Sequence, residues 1–209
     1  MDTLELFSGM ASFSATARER GHRTCTIDSN PQFRPDLCAD VCVIKPSDIP
    51  FKPDIVWASP PCQCFSVAGL HHHWEGSLPL TNKAQEALKT VKATVQLIQE
   101  IAPRFFFIEN PRGMLRRFSL MEPYRRCTIT YCQYGFRFQK PTDIWTNCDT
   151  WKPKQPCKPG STCHISAPRG SKTGTEGGGR SAIEKARVPS KLCEEILIAC
   201  EKAINRGRR

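Results

Sequence analysis

No apolar run in the chain approaches the length that a bilayer crossing requires. The longest read like Arg104-Phe105-Phe106-Phe107-Ile108, whereas a spanning helix takes about 20 such residues. A helical membrane protein is therefore excluded, and no membrane partner is expected. The opening Met1-Asp2-Thr3-Leu4-Glu5 lacks a basic patch ahead of an apolar stretch, so no secretory leader is expected. Internal repeats are also missing. Acidic residues are in deficit, 20 against 30 Lys and Arg, for a formal charge of +10. That balance favours a polyanionic partner, because each neutralised phosphate releases counterions, although many basic proteins never touch nucleic acid. Cysteine is in excess, with 12 in 209 residues. Without a leader a disulfide framework is not expected. The thiols then divide among buried small hydrophobes, metal ligands and a nucleophile, with the inert buried role expected for most of them.

Thr3–Phe7 predicts a short buried strand turning at Ser8-Gly9, followed by a helix over about 12–20. A second strand, Arg23–Ile27, ends at Asp28, and a third, Asp54–Ala58, is closed by Pro60-Pro61. Ala84, Ala87, Leu88, Val91, Val95, Ile98 and Ile101 recur at helical spacing and predict an amphipathic helix over 82–101. Strands follow at 104–108 and 143–146, and a last helix at about 190–205. Strands alternating with helices predict a mostly parallel, doubly wound, Rossmann-like α/β sheet, whose ligands bind beyond the carboxyl ends of the strands. Asp28, Cys62 and Glu109 all fall at such ends.

Phe7-Ser8-Gly9 lacks the full glycine-rich nucleotide fingerprint, since Ala11 and Ser12 stand where glycines could follow. It reads either as a turn letting backbone N–H groups approach a cofactor or as a plain strand-to-helix turn. Asp28 could bind two ribose hydroxyls or simply cap a turn. Cys62 is more telling. Two prolines stiffen its loop, and a thiolate at a strand end can add to an electron-poor ring carbon, which an alcohol does poorly. Glu109, ending a very apolar strand, suits protonation of, or hydrogen bonding to, a ring nitrogen; taken alone it reads equally as a helix-cap or loop carboxylate.

Together these segments resemble the DNA (cytosine-5)-methyltransferase family over nearly the whole chain. Leu4-Glu5-Leu6-Phe7-Ser8-Gly9 is similar to its first motif, Pro61-Cys62-Gln63-Cys64-Phe65-Ser66 to its nucleophile loop, Glu109-Asn110 to its Glu-Asn pair and Tyr134-Gly135 to its eighth motif. The resemblance implies that Cys62 attacks carbon 6 of a cytosine flipped out of double-stranded DNA. Glu109 would hold the ring nitrogen and amino group while carbon 5 takes the methyl of S-adenosylmethionine. Phe7 would stack on adenine beside the cofactor-binding Gly9, Asp28 hold the ribose, Asp40 reach the adenine amino group and Pro61 line the cofactor. A location in the cytoplasm of a bacterial host or phage-infected cell is expected; the sequence does not fix the oligomeric state, for which a monomer is the expectation.

Two departures resemble the compact enzymes of bacteriophages and prophages. Phe138-Gln139-Lys140-Pro141-Thr142 lacks the arginine that the family uses on the flipped cytosine, leaving Lys140 or Arg137 to serve. The tenth motif is reduced to Lys185-Ala186-Arg187-Val188. The chain is thus expected to divide into a cofactor-binding catalytic domain (1–147), a miniature irregular recognition segment (148–182) and a C-terminal helix completing the catalytic domain (183–209). The recognition segment carries Cys148, Cys157, Cys163 and His164. That is a suitable tetrahedral zinc set for a stretch with little core of its own, or else three incidental thiols. Arg169 and Lys172, in a basic Gly-rich loop, are expected to contact DNA. His71-His72-His73 reads as part of a mobile catalytic loop rather than a second metal site.

Overall fold

A computed structural model describes residues 1–158, 160–166, 184 and 186–206. Arg169 and Lys172 lie outside the described residues. Nine strands are described: β1 (Asp2–Leu6), β2 (Arg23–Asp28), β3 (Leu37–Cys38), β4 (Ile55–Ala58), β5 (Trp74–Glu75), β6 (Leu78–Pro79), β7 (Phe105–Pro111), β8 (Arg125–Thr130) and β9 (Pro141–Thr146). The helices are α1 (Ser12–Glu19), the single turn α2 (Leu70–His73), α3 (Asn82–Ile101) and α4 (Ser190–Arg206).

Seven strands form one sheet in the order β3-β2-β1-β4-β7-β9-β8, and β5 with β6 makes a separate antiparallel hairpin. β1, β2, β3, β4 and β7 run parallel, while β9 inserts antiparallel to both β7 and β8. From β1 the chain first builds outward through β2 and β3, then returns to start β4 on the other side. The order therefore reverses between β1 and β4, and a crevice opens at their carboxyl ends.

Alternation along the strands places a core on each face. Val56 and Ala58 of β4, with Phe106 and Ile108 of β7, pack beneath α3 through Val91, Val95 and Ile98. Ile55, Trp57 and Phe107 face the other way, toward Phe13 and Ala17 of α1 and Leu192, Ile196, Leu197 and Cys200 of α4. Trp57 stacks on Phe13 with ring centroids 4.8 Å apart. Helices thus cover both faces, as the alternation of strands and helices predicts. Among the described residues no helix is long and apolar enough to cross a membrane.

β8 escapes a sequence reading. Arg125-Arg126-Cys127-Thr128-Ile129-Thr130 carries two arginines and only one aliphatic residue, because β8 is an edge strand with one wet border. Its partner holds it in place: every residue of β8 is in register with β9.

Candidate active site

Four strand ends meet at the crevice. Leu6 of β1 is in register with Ile27 of β2 and Ala58 of β4, and Ala58 with Ile108 of β7. Asp28 closes β2, Glu109 lies one residue past Ile108 within β7, and the loops leaving β1 and β4 carry Phe7–Gly9 and Cys62, so register sets the four groups along one edge of the sheet.

The loop after β1 is tightly coiled. Phe7, Gly9 and Ala11 all have left-handed backbones (φ 57°, 46° and 51°), a conformation that costs non-glycine residues on the order of 1 kcal/mol each. Two carboxylates hold it, one half-buried and one buried. Gly9 N donates to Asp28 Oδ2 at 2.8 Å. Glu5, inside β1, accepts from Phe13 N (3.3 Å) and Ser14 N (2.7 Å) in the first turn of α1. Burial pushes the Glu5 carboxyl up to about 7 even against those donors. Sequence reading passes over this role for Glu5, whose place between Leu4 and Leu6 in a buried strand is the available signal.

Asp28 also accepts from Asn30 N at 2.8 Å, so each oxygen is engaged once and keeps an acceptor site. Ala39 N donates to the Asp28 carbonyl at 3.1 Å, which brings the exposed Asp40 close by. Asp40 shapes its own turn through Cys42 N at 2.8 Å.

The nucleophile loop leaves β4 at Ser59 and is pinned from two sides. Asn110 Nδ2 donates to the Pro60 carbonyl at 3.1 Å, and Met114 N to the Phe65 carbonyl at 2.7 Å. Cys62 itself is half-buried, and its carbonyl accepts from Phe65 N and Ser66 N, both at 3.0 Å. Pro61 beside it is exposed. Phe65 stacks on Trp74 of the β5–β6 hairpin (5.5 Å), and Trp74 Nε1 donates to the Cys64 carbonyl at 2.7 Å. The triple histidine lies in α2 on this loop, with His73 Nδ1 2.8 Å from Thr81 Oγ1.

Glu109 is 5% exposed. Its Oε1 accepts from the Tyr131 hydroxyl at 2.9 Å and lies 3.8 Å from Lys140 Nζ. Lys140 in turn sits over the Tyr131 ring, 4.4 Å from the centroid, and adopts φ 33°. Of the two basic candidates, Lys140 thus meets the carboxylate, whereas Arg137 is an exposed residue whose carbonyl accepts from Ile165 N at 2.9 Å. Tyr131 was not legible as a site residue; it follows the unread strand β8.

The four expected metal ligands do not converge as a set. Cys157, Cys163 and His164 do come together, but the fourth member of their group is Cys132, and all four ligand atoms lie within 4.8 Å of one another. Cys148 is displaced because it directly follows β9 and Asn147. It is fully buried in the core under α4, where it meets the Cys200 thiol.

Comparison with known proteins agrees with this architecture. A family profile for C-5 cytosine-specific DNA methylases matches residues 1–120. A Frog virus 3 (isolate Goorha) protein named a probable DNA (cytosine-5)-methyltransferase is 26% identical over 223 residues, covering 96% of this chain and 100% of the viral one. Among solved structures, a methyltransferase encoded within an E. coli prophage and named for DNA modification superposes with TM-score 0.52 at 16% identity. It covers 74% of this chain and 51% of its own. The Entamoeba histolytica methyltransferase EhMeth gives TM-score 0.53 at 14% identity, with 74% and 55% covered. These two share the fold, and the chain spans about half the length of each. The profile extends from β1 through the nucleophile loop and the Glu-Asn pair, and the chain belongs to the C-5 cytosine-specific DNA methylase family.

Proposed function

We propose that the chain transfers a methyl group from S-adenosylmethionine to carbon 5 of a cytosine flipped out of duplex DNA, through a covalent adduct on Cys62. The carrying observation is the Asn110–Pro60 hydrogen bond. It ties the residue after Glu109 to the residue two before Cys62, between the neighbouring ends of β7 and β4. A thiol and a carboxyl held on adjacent strand ends can address two edges of one planar ring.

The Cys62 thiolate would form a bond to ring carbon 6, moving an electron pair toward carbon 5. Glu109, steadied by Tyr131 and Lys140, would hold ring nitrogen 3 and the amino group, favouring that shift. The cofactor would supply an electrophilic methyl on a sulfonium sulfur; carbon 5 would take it up as the sulfur–methyl bond breaks and its electron pair stays on the sulfur, leaving a neutral thioether. A base then removes the carbon 5 proton, the ring double bond returns and the thiolate leaves. Lys140, the only one of the two basic candidates set on the carboxylate, would take the place of the family's arginine, with Arg137 nearer the phosphates. Arg169 and Lys172 would add further DNA contacts.

The cofactor end fits its guest chemically. Asp28 keeps acceptor sites for two hydroxyls, Asp40 is an exposed acceptor suited to an amino group, and Phe7 offers a half-buried ring beside the Gly9 turn. The net charge of +10 suits a phosphate backbone, and the setting is the cytoplasm of a bacterial host or phage-infected cell.

Tritiated methyl transfer to cytosine-containing duplex, compared with transfer RNA as acceptor, tests the reading. Label should appear on duplex DNA at carbon 5 and vanish with Cys62→Ala. Label surviving in that variant, or confined to the RNA arm, overturns it.

A further inference from the structure

Three sulfurs and an imidazole converge where the irregular stretch after β9 folds back onto the β8–β9 connection. Cys132 Sγ lies 3.1 Å from Cys157 Sγ and 3.7 Å from Cys163 Sγ. His164 Nδ1 lies 3.6 Å from Cys157 Sγ and 3.5 Å from Cys163 Sγ. Zinc–sulfur bonds of about 2.3 Å and zinc–nitrogen bonds of about 2.0 Å imply tetrahedral edges of about 3.8 Å between sulfurs and about 3.5 Å from sulfur to nitrogen. Three of the four distances fall near those edges, and the Cys132–Cys157 edge, at 3.1 Å, would need to open by about 0.7 Å. His164 is 8% exposed, and its other nitrogen, Nε2, lies 3.5 Å from Ser166 Oγ, the kind of outer partner that fixes a ligating tautomer.

The same ligands are wired into the walls of the candidate active site. Cys132 directly follows Tyr131, the donor to Glu109. Gln139, directly before Lys140, donates Nε2 to both the carbonyl and the sulfur of Cys157 (3.2 Å each), while Tyr131 N donates to the Gln139 carbonyl at 2.8 Å. Cys157 N reaches Thr130 Oγ1 at 3.0 Å and Ile165 N reaches the Arg137 carbonyl at 2.9 Å. We propose that Cys132, Cys157, Cys163 and His164 bind one Zn²⁺ ion, and that this ion fixes the 131–140 loop that lays Tyr131 and Lys140 against Glu109. A closed four-ligand set makes the site structural, and soft sulfur donors in tetrahedral array select zinc over harder divalent ions. Ion binding then contributes directly to the order of a segment that has little apolar surface of its own.

The test needs no methyl transfer, so it fails or succeeds separately from the reading of Glu109 as catalytic. The full chain, purified without added metal, should carry one zinc per chain. Cobalt(II) in its place should show the strong visible bands of tetrahedral thiolate coordination. Cys132→Ser and Cys163→Ser, the latter at the most exposed ligand, should each lose the metal, and Cys148→Ser should keep it. Chelation should speed amide hydrogen exchange at Tyr131, Cys157 and Ile165 by at least tenfold while leaving Leu4 and Leu6 of β1 unchanged. Zinc below about half an equivalent, a Cys132–Cys157 disulfide in the purified chain, metal retained by both ligand variants, or unchanged exchange on chelation would each overturn the proposal.

Discussion

The Tyr131 hydroxyl donates to Oε1 of Glu109 at 2.9 Å in a pocket where both side chains are buried. Burial, and then the neighbouring carboxylate, push the phenol well above its ordinary range, so it stays a proton donor at any working pH. Hydrogen bonds to charged groups contribute about 1.5–3 kcal/mol, which corresponds to roughly 10- to 100-fold in rate if the bond matters in the transition state. Tyr131→Phe should therefore slow methyl transfer by that factor. Its affinity for S-adenosylmethionine should stay within about twofold, because Asp28 and Asp40 lie at the far strand ends. Single-turnover rates beside cofactor titration check this, and an equal loss in both would remove Tyr131 from the cytosine side.

Gly113 faces the Phe65 carbonyl so closely that a Cβ there would lie 2.1 Å from the oxygen. Its backbone is extended, so the requirement is space alone. The contact closes an isolated bridge between Ser66 and Gly113, which seats the nucleophile loop on the chain leaving β7. Gly113→Ala must push the loop outward. Methyl transfer should fall by at least about tenfold, since small misplacements of reacting groups are that costly, and melting should shift down by only a few degrees. An unimpaired rate in the alanine variant would show that the loop position is not rate-determining.

Much of this was legible because the relevant residues sit where local rules and fold rules agree. Ile55–Ala58 and Phe105–Ile108 are apolar runs of strand length, Leu4–Phe7 is one interrupted only by Glu5, and the residues that follow them had to emerge at one sheet edge. Asp28, Cys62 and Glu109 follow from that. What escaped depends on long-range closure. β8 looks polar until β9 covers one side of it, so Tyr131 and Cys132 went unassigned, and Cys148 was given to the metal group in place of Cys132. Cys148 shares the irregular segment with Cys157, but it is buried in the core under α4, and the sulfur that reaches Cys157 comes from 25 residues upstream.

Asp143 is fully buried beside Asn110, its register partner across β7 and β9. Its carboxylate is held by Arg116 through Nε at 2.9 Å and Nη2 at 2.6 Å, and by Thr128 Oγ1 at 2.7 Å. Removing one partner of a buried pair strands the other charge, at about 3–5 kcal/mol. Arg116→Ala should lose that much stability in urea denaturation. The double variant Arg116→Met with Asp143→Leu should recover part of it, because no charge is then left in the interior. A loss below about 1 kcal/mol for Arg116→Ala would mean that Thr128 alone satisfies the carboxylate.

Glu5 should give the fold a distinctive pH dependence. Its carboxyl titrates near 7 when folded, against an ordinary value of 4.5, because burial disfavours the anion more than Phe13 N and Ser14 N favour it. Between those values the folded state binds the proton more tightly than the unfolded one. The contribution is therefore complete below about pH 4.5 and is lost as pH rises through 7, on the order of 3 kcal/mol in all. Glu5→Gln carries no titrating group, so the stability difference between wild type and variant isolates this effect from Asp2 and Glu201. Both of those are held low by arginines, Arg23 and Arg20, and push the other way. Urea denaturation at pH 5, 6, 7 and 8 should show wild type losing ground to Glu5→Gln up to about pH 7 and running parallel to it above. A difference that stays constant across the series would mean that the helix α1 donors hold Glu5 ionised after all.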